Sequence, residues 1–217
     1  MKACIFDLDG TLTDTLTAIS HFGNLALCEC GFKTFPKECY KKFVGDGRKK
    51  LIERMLDAQQ ALTDENYNKV CRIYDENYEK NPMYKTDAYE GIKDMIQILK
   101  ESGIKIAVCS NKPHNVVCDV VKTVFGENVF DCVYGVCEGA QVKPNPECAE
   151  KIIRELGADK NECIFIGDTN VDIFTAKNAG IKSIGVLWGF RDREELISAG
   201  TDYIAEKPDE ILKIAEK

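Results

Sequence analysis

The feature that most constrains this chain is a set of short, almost wholly apolar runs separated by stretches of helical period. Four of them are "ACIFDL" (Ala3–Leu8), "IKIAVCS" (Ile104–Ser110), "ECIFIGD" (Glu162–Asp168) and "IKSIGVLW" (Ile181–Trp188). Runs this short that lack polar alternation read as strands buried on both faces, as in a parallel sheet covered by helices on each side. "FDCVYGV" (Phe130–Val136) and "DYIA" (Asp202–Ala205) read as two further strands. Helical signals fall between them. Ile92, Met95, Ile96 and Leu99 share one face, and Gly103 follows as a C-terminal cap. Pro113 and Pro146 suit the first turns of helices, Gly157 and Gly180 suit their ends, and a last helix begins at Pro208. Strands alternating with helices predict right-handed crossovers and a doubly wound α/β fold.

Residues 16–84 break that rhythm. They look helical throughout, with Leu51, Met55 and Leu56 at helical spacing and a helix-start signature at Thr63–Asn66. Tyr67, Val70, Cys71, Tyr74 and Tyr78 form a stripe that reads as a packing face rather than a ligand box. The expected organisation is an α/β core made of residues 1–15 and 85–217, with residues 16–84 inserted as a small helical domain over the sheet edge.

Composition narrows the function. Among 217 residues, 36 Asp and Glu outnumber 29 Lys and Arg, for a formal charge of -7. A general nucleic-acid or anionic-membrane binder needs a basic face, so both are excluded as expected partners. No apolar run approaches the ~20 residues of a membrane span, and no leader-like segment precedes the first strand. The 11 cysteines form no C-x-x-C pair, and several sit inside apolar runs as small hydrophobes. A reducing, cytoplasmic location is expected, without disulfides or cysteine-bound zinc.

In an open parallel sheet, ligands bind at the carboxyl ends of the strands. Here those ends carry Asp7-Leu8-Asp9-Gly10-Thr11, Ser110-Asn111-Lys112 and Asp168-Thr169-Asn170-Val171-Asp172, with Lys143-Pro144 shortly after the "FDCVYGV" strand. Taken singly, Ser110 and Thr169 are ordinary loop and cap residues. Together the acids would repel one another unless a cation lay among them. Carboxylate oxygens without His or Cys suit a hard divalent ion, Mg²⁺ best when phosphate completes its shell. A carboxylate can also act as the nucleophile in phosphoryl transfer, and Asp7 fits that role.

These four stretches, in this order, resemble the motifs of the haloacid dehalogenase superfamily, and within it the phosphoglycolate phosphatase group. The resemblance implies a Rossmann-like core, with residues 16–84 as a helical cap of the C1 type. It implies a Mg²⁺-dependent phosphomonoesterase that works on a small phosphorylated metabolite through an aspartyl-phosphate. Asp9 is then the general acid and later the base. Ser110 and Asn111 hold a phosphate oxygen, and Lys143 neutralises the phosphate and steadies Asp7. The metal takes Asp7, the Asp9 carbonyl and Asp168, while Asp172 is a ligand, a support or a helix cap. Backbone N–H groups of Gly10 and Thr11 are expected at the phosphate. In the helical insertion, Gly45-Asp46-Gly47 leads into Arg48, which either meets an anionic substrate group or belongs with Lys49 to a solvated basic face. His21 has no assigned role. The same core motifs serve a sugar-phosphate mutase of the beta-phosphoglucomutase type, a pyrophosphatase or a nucleotidase. A dehalogenase is disfavoured by Asp9 and the metal acids. A two-component receiver is excluded by length and by the large insertion, and a non-catalytic binding protein would not need all four motifs. A monomer or homodimer is expected.

Overall fold

A computed structural model describes residues 1–216. The first elements are β1 (Ala3–Phe6) and β2 (Thr13–Asp14), followed by helices α1 (Leu16–Glu29), α2 (Lys37–Phe43), α3 (Gly47–Asp57) and α4 (Asp64–Tyr78). Next come β3 (Asp87–Ala88), α5 (Ile92–Glu101), β4 (Lys105–Pro113), α6 (His114–Phe125), β5 (Cys132–Val136) and α7 (Glu147–Leu156). The chain finishes with β6 (Cys163–Gly167), α8 (Asn170–Ala179), β7 (Lys182–Val186), α9 (Arg193–Ala199), β8 (Tyr203–Ala205) and α10 (Pro208–Ala215).

Six strands form one parallel sheet in the order β5-β4-β1-β6-β7-β8, so the fold is the doubly wound α/β class expected from the sequence. β1 lies between β4 and β6, where the winding reverses direction. That reversal opens a crevice at the strand ends. Side chains alternate across the sheet. Ala3 and Ile5, with Ala107, Cys109, Cys163 and Phe165, pack beneath α7 and α8. Cys4 and Phe6, with Ile106, Val108, Ile164 and Ile166, face the other way toward α5, α6 and α10. All four residues of β1 are fully buried, which explains its unbroken apolar run. Each large side chain buried in this way contributes about 1.5–3 kcal/mol.

The helical stretch is four helices. Gly31, at φ +79, follows the end of α1, and Pro36 precedes α2. Thr63 caps α4, its hydroxyl accepting from the Asn66 amide at 3.2 Å. Leu51, Ile52, Met55 and Leu56 of α3 share a core with Val70, Tyr74 and Tyr78 of α4 and Phe22 of α1, and this core runs on into one face of the sheet. The two ends of the stretch are drawn together by β2 and β3, which pair antiparallel through Thr13–Ala88 and Asp14–Asp87. Among the described residues, no helix is long and apolar enough to cross a membrane.

Several boundaries move, each for a tertiary reason. β1 stops at Phe6 instead of Leu8, because the Leu8 carbonyl turns to accept the amides of Thr11, Leu12 and Thr13. β4 continues past Ser110, with an irregularity after Cys109 before Pro113 pairs with Val136. β7 ends at Val186, and Trp188 leaves the sheet to donate its Nε1–H to the Thr11 carbonyl at 2.9 Å.

Candidate active site

Register places the acids. Phe6 lies beside Val108 on β4 and Ile166 on β6, and the Asp7 amide still donates to the Ile166 carbonyl at 2.9 Å. Asp7 therefore emerges level with the end of β6, one residue before Asp168. Gly167 allows α8 to fold back over this end, since a Cβ there would lie 2.2 Å from that of Asp172. Gly10, at φ +90, presses on the same spot: a Cβ would meet Asp168 Oδ2 at 2.3 Å. One oxygen each from Asp7, Asp168 and Asp172 gather within 4.8 Å of one another, and all three residues are buried.

Each carboxylate has a fixed set of donors. Lys143, itself only 4% exposed, donates from Nζ to Asp7 Oδ1 at 2.8 Å and to Asp172 Oδ1 at 2.6 Å. Asp172 Oδ2 accepts from the Thr169 amide at 3.0 Å and the Thr169 hydroxyl at 2.8 Å, so this residue both starts α8 and anchors Lys143. Asp168 accepts from the Thr11 hydroxyl at 3.0 Å and from the Phe190 amide at 2.8 Å.

Three buried carboxylates thus face one ammonium. Burial pushes the Asp7 carboxyl up to about 7, with Asp172 adding to the rise and Lys143 opposing it. Burial, together with Asp172 and Asp7, holds Asp168 well above the usual carboxylate range. Burial works against the charge on Lys143, but Asp172 and Asp7 outweigh it and raise its pKa. A cluster of this kind is short of positive charge. Its all-oxygen donor set fits a hard divalent cation, whose charge would let the acids ionise together.

The other expected residues sit around this cluster. The Ser110 hydroxyl accepts from the Lys112 amide at 3.3 Å and lines the cavity with Asp7 and Asp9. The Asn111 side chain brackets the Lys143 backbone, accepting from its amide at 2.7 Å and donating to its carbonyl at 3.1 Å. It also donates to the Gly45 carbonyl at 3.4 Å, reaching the helical layer. The Asp9 side chain stands apart from the three clustered acids and accepts from Lys112 Nζ at 2.9 Å.

Two expectations change. The Gly10 amide donates to the Thr13 carbonyl and the Thr11 amide to the Leu8 carbonyl, so neither is free to hold a phosphate. Gly10 and Thr11 act through Asp168 instead, one by close approach and one by its hydroxyl. Among the described residues, the Leu8 and Asp9 amides have no backbone acceptor. Arg48 does line the cavity, but its guanidinium is engaged with Asp75 of α4. It is a paired cation on an exposed stretch that it shares with Lys49 and Lys50.

Four contributors had no assigned role. Lys112 and Tyr78 meet at the cavity wall. Phe190 supplies an amide to Asp168, and Arg191 donates to the carbonyls of Lys41 and Val44 at the end of α2. Lys112 stood inside a recognised motif, and Tyr78 inside a stripe. Arg191 and Phe190 follow no local pattern at all.

A match to the haloacid dehalogenase-like hydrolase family spans residues 4–186. The chain belongs to this family. A phosphoglycolate phosphatase of Aquifex aeolicus is 28% identical over 216 residues, covering 100% of this chain and 97% of that protein. The phosphoglycolate phosphatase of Mesorhizobium japonicum is 30% identical over 190 residues, covering 87% and 84% respectively. A crystal structure of a candidate phosphoglycolate phosphatase from Lactobacillus delbrueckii subsp. bulgaricus superposes with a TM-score of 0.95 at 30% identity, covering 99% of this chain and 98% of that one. In this haloacid dehalogenase-like hydrolase, a cavity opens above Asp7, Asp9 and Ser110 and is closed on the far side by Leu51, Tyr74 and Tyr78 of the helical layer.

Proposed function

We propose that the chain is a Mg²⁺-dependent phosphomonoesterase that forms an aspartyl-phosphate on Asp7, with a small ester of the 2-phosphoglycolate kind as substrate. The observation that carries this reading is Lys143 bridging Asp7 and Asp172 beside Asp168, a buried cluster built for an anionic, metal-associated reaction centre. The named activity of the relatives supports the substrate class.

Asp7, Asp168 and the Asp9 carbonyl are the groups that would hold the metal, with Asp172 fixed behind them by Lys143 and Thr169. Bound Mg²⁺ supplies positive charge to the phosphoryl oxygens. The remaining steps belong to the protein. Lys143 fixes one oxygen of Asp7, leaving the other to attack phosphorus. Ser110 and the Leu8 and Asp9 amides receive the equatorial oxygens. Asp9 protonates the leaving oxygen, then removes a proton from the water that cleaves the acyl phosphate. Residues 16–84 serve as the cap that bounds the substrate, with the core formed by residues 1–15 and 85–217.

The test is a phosphomonoester panel that includes 2-phosphoglycolate, pyrophosphate, nucleoside monophosphates and hexose phosphates, with and without Mg²⁺, run beside Asp7→Asn. Turnover of 2-phosphoglycolate that is lost in EDTA and in the variant is expected. Activity that ignores EDTA or survives Asp7→Asn overturns the mechanism, and preference for another ester overturns the substrate class.

A further inference from the structure

Asp9, apart from the buried cluster, is held by a second lysine. Lys112, 8% exposed, donates from Nζ to Asp9 Oδ1 at 2.9 Å and to the Tyr78 hydroxyl at 2.6 Å. Its ammonium also lies 4.9 Å from the centre of the Tyr78 ring. The two partners come from different layers: Asp9 follows β1, whereas Tyr78 ends α4.

The Tyr78 ring has little freedom. It stacks on Tyr74 at 5.4 Å and meets Phe22 of α1 edge-on at 5.5 Å. The position of its hydroxyl is therefore set by the packing of α1 against α4. Lys112 has a long, rotatable stem, and alone it would sample several positions. With one proton bonded to Tyr78 and the ring beneath it, the ammonium is confined beside Asp9.

We propose that Lys112, confined by Tyr78 from the helical layer, is the positioning residue that presents Asp9 to the leaving oxygen. The inference rests on the reading of Asp9 as general acid. By donating to Oδ1, Lys112 leaves Oδ2 to carry the transferable proton. In the first step an Asp7 oxygen bonds to phosphorus, the ester P–O bond breaks, and the departing oxygen takes the Oδ2 proton as the alcohol. In the second, Asp9 takes a proton from water as its oxygen bonds to phosphorus and Asp7 is released. Lys112 keeps its own protons throughout. The helical layer thus contributes to the chemistry as well as to the walls of the cavity.

The leaving group separates this role from a structural one. An alkyl oxygen needs protonation as it departs, whereas p-nitrophenolate does not. Tyr78→Phe removes only a hydroxyl and keeps the ring, and Lys112→Met removes the charge and keeps the stem. With 2-phosphoglycolate, kcat/KM is expected to fall about 10-fold in Tyr78→Phe and about 100-fold in Lys112→Met. With p-nitrophenyl phosphate, both variants are expected to stay within about 3-fold of the parent enzyme in kcat/KM, which reads only the first step. Equal losses on the two esters, or no loss on either, in variants that melt cooperatively overturn the proposal. Parent enzyme inactive on both esters overturns the phosphatase reading instead, so the two failures are distinct.

Discussion

The sheet edge and the helical layer that faces it are built by different means. At the edge, position is dictated by backbone: Asp7 and Asp168 stand at the ends of hydrogen-bonded strands, and Asp172 is fixed by the first turn of α8. In the helical layer, function hangs on single side-chain links, such as Arg48 to Asp75, Tyr78 to Lys112 and the Val44 carbonyl to Arg191. A site held by register has little room for substitution. One held by side-chain pairs can exchange partners without disturbing the fold. On the proposed function, the first region carries the bond-breaking, while the second bounds the substrate and, through Tyr78 and Lys112, reaches Asp9.

That division can be broken experimentally. Asp7→Asn removes the proposed nucleophile and should lower kcat by ~10⁴-fold or more, read in a steady-state phosphate-release assay. Retained turnover would show that the edge does not carry the chemistry. Lys143→Met comes next. It strands Asp7 and Asp172 without their ammonium, so a loss of about 3–5 kcal/mol in unfolding free energy is expected without metal. Millimolar Mg²⁺ should return part of that loss in a thermal melt, while kcat stays depressed by about 10²–10³-fold.

Smaller effects test the same boundary. Gly10→Ala places a Cβ into Asp168 and the Phe190 ring at a positive φ. It should cost about 1–3 kcal/mol and weaken Mg²⁺ activation, measured as a higher half-saturating concentration. Arg48→Ala acts from the helical layer and is expected to raise KM by ~3–10-fold with kcat nearly unchanged. If Arg48→Ala instead lowered kcat alone, the assignment of roles to the two regions would be reversed.

The same contrast explains what could be read from the chain. β1, β4, β6 and β7 were legible because burial on both faces forces a run of apolar residues. The acids were legible because chemistry places them within a few residues of a strand end. Asp172 stayed ambiguous, since one carboxylate starts α8 and also bonds Lys143, and an acid at that position looks the same for either purpose. The Gly10 and Thr11 amides were misassigned because a glycine turn signals freedom of backbone but not where its N–H groups point. Lys112, Tyr78 and Arg191 act across sequence separations of 34 to 150 residues, and no local period records such a meeting. Tyr78 was seen as a packing residue, which it is. Only the fold shows that its hydroxyl has a second use.

The central place of β1 also bears on how the molecule is made. Its partners are Lys105–Val108 on one side and Cys163–Ile166 on the other. During synthesis at about 5–20 residues per second, this fully buried strand precedes both of its partners and waits roughly 10–30 s for the second. Through that interval a four-residue apolar ribbon has an unpaired edge, a liability for nascent chains. Sheet closure across such long separations is also slow relative to helix formation. The helices of residues 16–78 can form while β1 waits, so the layer that shapes the cavity is available before the sheet edge that gives it a chemistry.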